Sequence, residues 1–220
     1  AYVRQFGFDY IARHDFAEFK QVSLATEQSN KPSPNHSLSQ HWPLISHVEL
    51  TVIPAFLSDK LNEYAADRDF PAIKGTSGLS PYLAIGALSP RYLMTLLLNR
   101  HPDLLAATDH KAFAWLNELI WREFYRHLMF HFPKLSKERN FNAKYDAINW
   151  RNNKTEFEAW CTGKTGFPIV DAAMRQLNQT GWMHNRLRMV VASFLTKHLL
   201  IDWRWGERYF MSKLIDGDLA

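Results

Sequence analysis

The sequence predicts an all-helical globular domain, and three observations support this prediction. Of its 220 residues, 46% are hydrophobic and 14% are aromatic, which supplies enough apolar area for one sizeable core. Apolar residues recur at helical steps of three and four in several segments. No segment of strand length alternates convincingly between apolar and polar residues. We therefore expect a multi-helix, all-α fold with few if any strands.

The N-terminal part differs in composition from the rest of the chain. Residues 1–22 are aromatic and mixed in charge, and residues 23–43 are rich in Ser, Asn, Gln, His and Pro, which is typical of a linker. Helix-starting signals become dense after this region. We therefore predict a leading segment and linker over residues 1–47 and a helical domain over residues 48–220.

Two serine-proline pairs predict helix starts in the first half of this domain. Ser80-Pro81 and Ser89-Pro90 each place a capping residue before a proline at the first helical position. The next segment, Ala112 to Phe130, predicts a core helix. Its apolar stripe consists of Phe113, Leu116, Ile120, Phe124 and Leu128.

Glycines and Pro168 separate the helical segments of the second half. The predicted helices are Thr155–Cys161, Ile169–Asn178, Met183–Leu200 and Trp205–Leu214.

Composition excludes several classes of protein. There is no run of about 18 apolar residues, and the first residues lack the order of a signal peptide, so we predict neither a membrane span nor export. The single Cys161 excludes an internal disulfide and fits a reducing cytoplasm. A net charge of +4 and a pI near 9.1 are compatible with a polyanionic partner.

Two motifs resemble known sites but lack a required residue. The segment Thr162–Gly166 would need a glycine in place of Glu158 to be a phosphate-binding loop. His127 and His131 lie one turn apart, yet Leu128 stands where zinc proteases carry a glutamate. We predict no metal site and no nucleotide hydrolysis.

The helix through Leu116 carries a second, mostly polar face. Glu118, Trp121, Arg122 and Tyr125 follow one another at helical spacing on this face. One interpretation is an ordinary surface, with an ion pair between Glu118 and Arg122 and with Trp121 in the core. The other is one wall of a ligand site.

The helix predicted after Met183 also has two faces. Its packing stripe consists of Leu187, Val190, Val191, Phe194 and Leu195. Asn185, Arg188, Met189 and Ala192 lie on another side. Arginine and indole groups stack on planar rings, and arginine also binds phosphate. Two such helices predict a shared pocket for a large, flat, anionic ligand.

Two further segments offer polar ligand groups. Gly75–Leu83 places hydroxyl and backbone N–H groups at a helix start, which suits a phosphate, although Ser80 as a simple cap is equally compatible. Asp216 and Asp218 flank Gly217 near the end of the chain. They could bind a cation, accept from a sugar hydroxyl or adenine amine, or form a solvated turn.

Five segments together resemble the flavin domain of DNA photolyases and cryptochromes, over about Glu49 to Ala220. The resemblance implies FAD held in a folded conformation within the helical bundle, which does not require a dinucleotide glycine fingerprint. The segments are "GTSGLSPYLAIGALSPR", "WLNELIWREFYRHL", "GKTGFPIVDAAMRQL", "TGWMHNRLRM" and "LIDGDLA".

The resemblance assigns cofactor-binding roles by position. The implied FAD contacts are Tyr64, Thr76, Ser77, Leu79, Ser80, Trp115, Arg122, Asn185, Arg188, Asp216 and Asp218. It also implies an electron chain through Trp203 and Trp150, although isolated tryptophans are more often core residues.

The resemblance further implies light-driven repair of cyclobutane pyrimidine dimers in DNA. Glu118 would hydrogen-bond the pyrimidine edge, with Trp121 and Met189 as apolar contacts, after the dimer leaves the duplex. Arg186 and Arg68 would face DNA phosphates. In this family, reduced flavin absorbs blue light, gives an electron to the dimer and later recovers it.

Two alternatives remain open at this point. One is a cryptochrome-like photoreceptor that binds FAD without repair, and the other is a flavin-free module that holds DNA through its basic surface. The resemblance also implies an absent antenna domain, with residues 1–22 as its exit segment, and a chain that ends before the family's last flavin contacts. We expect no obligate protein partner.

Overall fold

The fold is taken from a computed structural model that describes residues 41–219. The predicted exit segment, most of the predicted linker and Ala220 lie outside these residues. Within residues 41–219 every regular element is a helix, which confirms the all-α prediction. No helix in this part of the chain is both long and apolar enough to span a membrane.

Helix α1 covers residues 45–60 and alternates α-helical turns (Ile45–His47, Ile53–Ala55) with π-helical turns (Val48–Val52, Phe56–Lys60). Helix α8 begins as Asn185–Ser193 and continues through a π-helical turn, Phe194–His198. The other helices are α2 (Tyr64–Asp67), α3 (Ser80–Ala84), α4 (Pro90–Arg100), α5 (Phe113–His131), α6 (Lys154–Thr162), α7 (Pro168–Thr180) and α9 (Trp203–Lys213), with short 3-10 turns at Leu135–Lys137 and Ala143–Ala147.

The buried apolar side chains form two separate clusters. The first core runs from Val48 to Leu119 and is built by helices α1 to α5 with their connections. The second core runs from Trp160 to Ile201 and is built by α6, α7 and α8, with α9 packed against it. Each half of the described chain therefore has its own hydrophobic interior.

Helix α5 packs over a shorter length than its sequence predicts. Trp115, Leu116 and Leu119 are buried in the first core. Phe124 and Leu128, at the other end of the predicted stripe, are only partly buried. The N-terminal half of α5 thus covers the first core, and its C-terminal half extends beyond it.

The two serine-proline pairs behave differently. Ser89 adopts an extended backbone, φ −86° and ψ 130°, directly before α4, so the predicted start is confirmed. Helix α3 begins at Ser80 itself, with Leu79 in the capping position. The Ser80 hydroxyl donates to Asp216 instead of capping the helix. The capping interpretation of Ser80 is therefore wrong, since a carboxylate is the stronger acceptor.

Side-chain caps fix the starts of the helices in the second half. Asn153, His184 and Asp202 accept hydrogen bonds from backbone N–H groups in the first turns of α6, α8 and α9. Gly163 and Gly181 end α6 and α7 in the left-handed conformation, at φ 65° and 68°. The start of α8 also contacts the first half, because Arg186 Nη2 donates to Asp69 Oδ1 at 2.6 Å.

Candidate functional site

Polar side chains from the two halves meet along one line, which we call the inter-core seam. The seam comprises Arg68, Asp69, Ser80, Glu118, Arg122 and Arg126 from the first half and Arg186, Arg188, Asp216 and Asp218 from the second.

Asp216 is the most buried group of the seam, with 2% of its side chain exposed. Arg188 Nη2 donates to both carboxylate oxygens, at 2.9 and 2.7 Å, and the Ser80 hydroxyl donates to Oδ2 at 2.6 Å. The Arg188 Nε–H donates to the Met183 carbonyl at 2.9 Å, which fixes the plane of the guanidinium group. Asp216 thus ties the start of α3 to α8, and the solvated-turn interpretation of this carboxylate is wrong.

Gly181 contacts the segment after α9, residues 214–219, which carries Asp216 and which we call the tail. Its φ of +68° suits glycine, and its carbonyl accepts a hydrogen bond from Ile215 N–H at 2.9 Å. A Cβ atom on Gly181 would lie 2.8 Å from Ile215 Cγ2. The close approach of these two residues places Asp216 opposite Arg188.

Two guanidinium groups share the second tail carboxylate. Arg122 Nη2 lies 3.9 Å and Arg126 Nη2 lies 3.7 Å from Asp218 Oδ2. Arg122 Nη2 also donates to the Leu83 carbonyl at 3.0 Å. Burial and the positive charge of Arg126 lower the pKa of Arg122. The expected ion pair between Glu118 and Arg122 is wrong, since Arg122 lies 3.4 Å from Glu123 instead. Two guanidinium groups and two carboxylates thus lie together in this part of the seam.

Glu118 is paired across the fold. Arg68 Nη1 donates to Glu118 Oε1 at 2.6 Å, and both side chains are about one-third exposed, at 28% and 32%. Burial and the negative charge of Glu118 raise the pKa of the nearby Tyr64 to about 12. Tyr64 therefore stays neutral beside this carboxylate at physiological pH.

A cavity of about 430 Å³ lies between α8, α9 and the tail. Its polar part is lined by Arg188, Thr196, Glu207, Asp216 and Asp218. Its apolar part is lined by Trp160, Leu195, Phe210, Met211 and Leu214. Specific ligand pockets are mostly apolar with a few fixed polar groups, and this cavity has that character.

The cavity differs from the one that the sequence predicts. It is lined by Arg188, Ala192 and Thr196 of α8, whereas Glu118 and Asn185 are not among its walls. This cavity is therefore not the one that the sequence predicts between Glu118 and Asn185. The two helices are connected differently, through the ion pairs of Arg68, Asp69 and Arg186 along the seam.

Several sequence-predicted contacts are buried in the first core. Tyr64, Leu79 and Trp115 are 7%, 2% and 4% exposed, and the Trp115 ring lies 5.0 Å from the Phe56 ring. Thr76 and Ser77 are partly buried in the connection before α3. That connection lies close to α2, because a Cβ atom on Gly75 would lie 2.6 Å from Asp67 Cβ.

The residues assigned to the substrate are accessible from outside. Trp121 is 37% exposed and Met189 is 54% exposed. Asn185, which the resemblance assigns to the cofactor, is also exposed. The Trp121 ring packs against Phe124 and Tyr125 of the same helix. Trp121 is therefore a surface residue of α5, and its interpretation as ordinary core is wrong.

Trp203 lines the cavity, and Trp150 lies in a segment attached to the start of α9. The Arg151 N–H donates to the Leu200 carbonyl at 2.8 Å, and the Asp202 N–H donates to Asn152 Oδ1 at 2.8 Å. Both tryptophans are partly buried. The two segments that carry them are thereby joined.

Sequence reasoning missed several residues around these positions. Trp203 Nε1–H donates to Asn140 Oδ1 at 3.0 Å, and the Arg204 guanidinium lies 4.6 Å from the Trp203 ring centroid. Asp69 and Trp182 were also missed. Asp69 pairs with Arg186, and the Trp182 indole N–H donates to the Ser80 hydroxyl at 3.4 Å. Their roles depend on contacts between residues distant in the sequence, for which no local pattern exists.

The Thr162–Gly166 segment is filled by a carboxylate of the chain itself. Asp171 accepts from the Thr165 N–H at 2.8 Å, the Thr165 hydroxyl at 2.6 Å and the Gly166 N–H at 3.0 Å. Burial opposes the ionised form of Asp171, yet these hydrogen bonds lower its pKa overall. The loop is thus a structural anchor within the second core.

Fold and cavity together define a class: an all-helical domain of two cores with a partly apolar ligand cleft in its second half, beside the polar seam. The comparisons agree with this class. Residues 115–220 match the family model described as the FAD binding domain of DNA photolyase. The deoxyribodipyrimidine photo-lyase of Escherichia coli is 53% identical over 87% of this chain and 42% of its own length. That of Vibrio cholerae is 60% identical over 75% of this chain and 35% of its own length.

Solved structures give the same result. A class III photolyase from Agrobacterium tumefaciens has a TM-score of 0.75 and 47% identity, over 83% of this chain and 37% of that chain. A Synechocystis cryptochrome has a TM-score of 0.67 and 37% identity, over 77% of this chain and 35% of that chain. The chain belongs to the DNA photolyase and cryptochrome family, and it spans less than half the length of these relatives.

Proposed function

We propose that this chain binds FAD at the inter-core seam and contributes to light-driven repair of cyclobutane pyrimidine dimers in DNA. The observation that carries the proposal is the cavity beside the Arg188–Asp216–Ser80 network, which joins the polar edges of both cores. The names of the relatives, deoxyribodipyrimidine photo-lyases, support the reaction class. The single Cys161 supports a cytoplasmic location.

The chemistry of the seam fits FAD. Arg122, Arg126 and Arg188 offer guanidinium groups for a diphosphate, and Asp218 offers an acceptor for hydroxyl or amine groups. The aromatic and aliphatic wall of the cavity suits a planar ring. A volume of about 430 Å³ lies within the range of about 300–1,000 Å³ for small-molecule sites.

The network around Asp216 supports a preorganised site. Its carboxylate neutralises Arg188 and fixes its orientation, while Ser80 ties both to the first core. A ligand that bridges the two cores would therefore meet groups that are already in place, which reduces the entropy cost of binding. When bound and reduced, FAD supplies the light-excited electron for cleavage of the dimer.

The exposed faces of α5 and α8 support the DNA part of the proposal. Glu118 offers a carboxylate acceptor for a pyrimidine N–H, and Trp121 and Met189 offer apolar surface to an extruded base pair. Arg186 and Arg68, both at the accessible end of the seam, are placed for contact with phosphates. Trp203 and Trp150 are proposed to carry electrons toward the cofactor.

The decisive experiment measures dimer loss. The purified chain is supplied with reduced FAD and irradiated oligothymidine, and dimers are counted before and after blue light. Light-dependent loss is expected. Failure of the chain to bind FAD would overturn the cofactor assignment. FAD binding without repair of the dimers would favour the photoreceptor alternative.

A matched pair of variants tests the substrate residue. Glu118→Ala removes the proposed bond to the lesion and is expected to lower the repair yield while FAD binding is retained. Glu63→Ala is the control, since Glu63 also pairs with a basic residue, Lys111 at 3.3 Å, but lies outside the seam. Equal repair by both variants would remove Glu118 from the mechanism.

A further inference from the structure

An unbroken series of ion pairs runs along the accessible end of the seam, from α5 through the two residues that follow α2 to α8. Glu118 pairs with Arg68, Arg68 Nε lies 3.9 Å from Asp69 Oδ1, and Asp69 Oδ1 accepts from Arg186 Nη2 at 2.6 Å. The charges alternate in sign along this series. Asp69, to which the sequence gives no role, is the carboxylate between the two arginines.

Asp69 lies beside two arginines, Arg68 and Arg186, of the residue type that binds nucleic-acid phosphates. A phosphate and a carboxylate present similar acceptor oxygens to a guanidinium group. Asp69 is 51% exposed and Arg186 is 40% exposed, so solvent and a large ligand reach the pair. The pKa of Asp69 is lowered by its hydrogen bond with Arg186, which keeps the carboxylate ionised.

The exchange of Asp69 for a phosphate has a consequence for Glu118. Arg68 contacts both carboxylates, at 2.6 Å for Glu118 and 3.9 Å for Asp69. A phosphate that draws Arg68 outward weakens its bond to Glu118. The Glu118 carboxylate then becomes available to a pyrimidine edge only after the DNA backbone is in place.

We propose that Asp69 is a specificity-determining residue, an internal competitor for DNA phosphate that couples backbone binding to the release of Glu118. This inference rests on the proposed function, because it takes damaged DNA as the substrate. Exposed ion pairs are individually weak, so a polyanion can displace Asp69 without unfolding any element. The coupling raises the selectivity for duplexes in which an extruded base engages the freed carboxylate.

The test compares Asp69→Asn with Asp67→Asn in the whole chain. Both changes remove one negative charge, two residues apart, but Asp67 takes part in none of the ion pairs found among residues 41–219. Affinities for an undamaged duplex and for the same duplex with one thymine dimer are measured by fluorescence anisotropy at several salt concentrations. Thermal melting verifies that both variants are folded.

Asp69→Asn is expected to bind the undamaged duplex about two- to fivefold more tightly than Asp67→Asn does, as expected for loss of an exposed competing pair. The ratio of affinities for damaged and undamaged duplex is expected to fall in Asp69→Asn. In an Arg186→Ala background, the substitution at Asp69 is expected to have a smaller effect.

Two outcomes separate this inference from the proposed function. Wild-type binding without preference for the dimer would count against the proposed function itself. A clear preference in the wild type, together with equal affinities and ratios for Asp69→Asn and Asp67→Asn, would overturn the role of Asp69 alone.

Discussion

The first and second cores differ in how they contribute to the candidate site. The first core is mainly aliphatic, and its contribution to the seam comes from polar residues at its edge, such as Ser80 and Arg122. The second core is centred on Trp160, whose ring contacts Phe157, Tyr209 and Phe210, and it forms most of the cavity. Apolar packing thus stabilises each half, polar contacts join the halves, and the cavity lies within the second half beside those contacts.

The largest expected effect comes from the centre of the second core. Trp160 is 0% exposed, and its indole N–H donates to the Val191 carbonyl at 3.0 Å. Trp160→Ala is expected to lower the free energy of unfolding by about 3–5 kcal/mol. Urea denaturation measures this loss, with the half-exposed Trp121→Ala as the control for loss of an indole. Equal losses in the two variants would contradict the assignment of Trp160 as the centre of a core.

A smaller effect is expected where the tail meets α7. Gly181→Ala combines a left-handed backbone with a Cβ atom 2.8 Å from Ile215 Cγ2, so we expect a cost of about 2–4 kcal/mol. Gly86→Ala is the control, because Gly86 also has a positive φ, of +74°, but has free space around its Cα. Thermal melting of both variants tests the difference. A matching decrease in melting temperature would show that the contact with Ile215 is unimportant.

The hydrogen-bond network around Asp216 is expected to contribute less to the free energy of unfolding than Trp160 or Gly181 does. Asp216→Ala leaves Arg188 and Ser80 without their common acceptor and is expected to cost about 1.5–3 kcal/mol. It should also weaken FAD binding, because Arg188 is no longer held in place. Flavin fluorescence titration measures the second effect, with Asp103→Ala, at an exposed turn outside the seam and the cavity, as the control. Unchanged affinity would show that the network does not organise the site.

The smallest effect concerns pH and is confined to the second core. The pKa of Asp171 is below the ordinary carboxyl value of 3.8, so its contribution to stability is present above that value and is lost as the pH falls through the lower pKa of the folded state. Asp171→Asn removes one acceptor oxygen and is expected to cost about 1 kcal/mol at neutral pH. Denaturation curves at neutral and acidic pH test this, and the gap between wild type and variant should narrow in acid. A gap that widens in acid would contradict the assignment.

The sequence predicted the helices well because their boundaries are local. Pro90, Gly163 and Gly181 act through backbone preferences of one or two residues, which can be read without the fold. The packing stripe of α8 was likewise confirmed, with Leu187, Val191, Phe194 and Leu195 buried and Val190 packed against the core. Periodicity reports such one-sided burial directly.

Partners within the site could not be predicted in the same way. Ser80 and Asp216 are 136 residues apart, so their pairing depends on how the two halves dock. Arg68 and Glu118 are 50 residues apart within the first half, so their pairing depends on how that half folds. Sequence spacing suggested Arg122 as the partner of Glu118, but the long-range contact with Arg68 replaces it. Residue type and helical position indicated Glu118, Arg122 and Arg188 as candidate site residues, whereas their contacts required the fold.

The central claim is that one ligand, FAD, binds both cores at the seam. Hydrogen exchange of the chain with and without FAD tests it directly. We predict slower exchange in both halves, at α3 and at the start of α8 together with the tail segment 214–219, because each lines or supports the seam. Protection confined to one half, or no change in either, would contradict the claim.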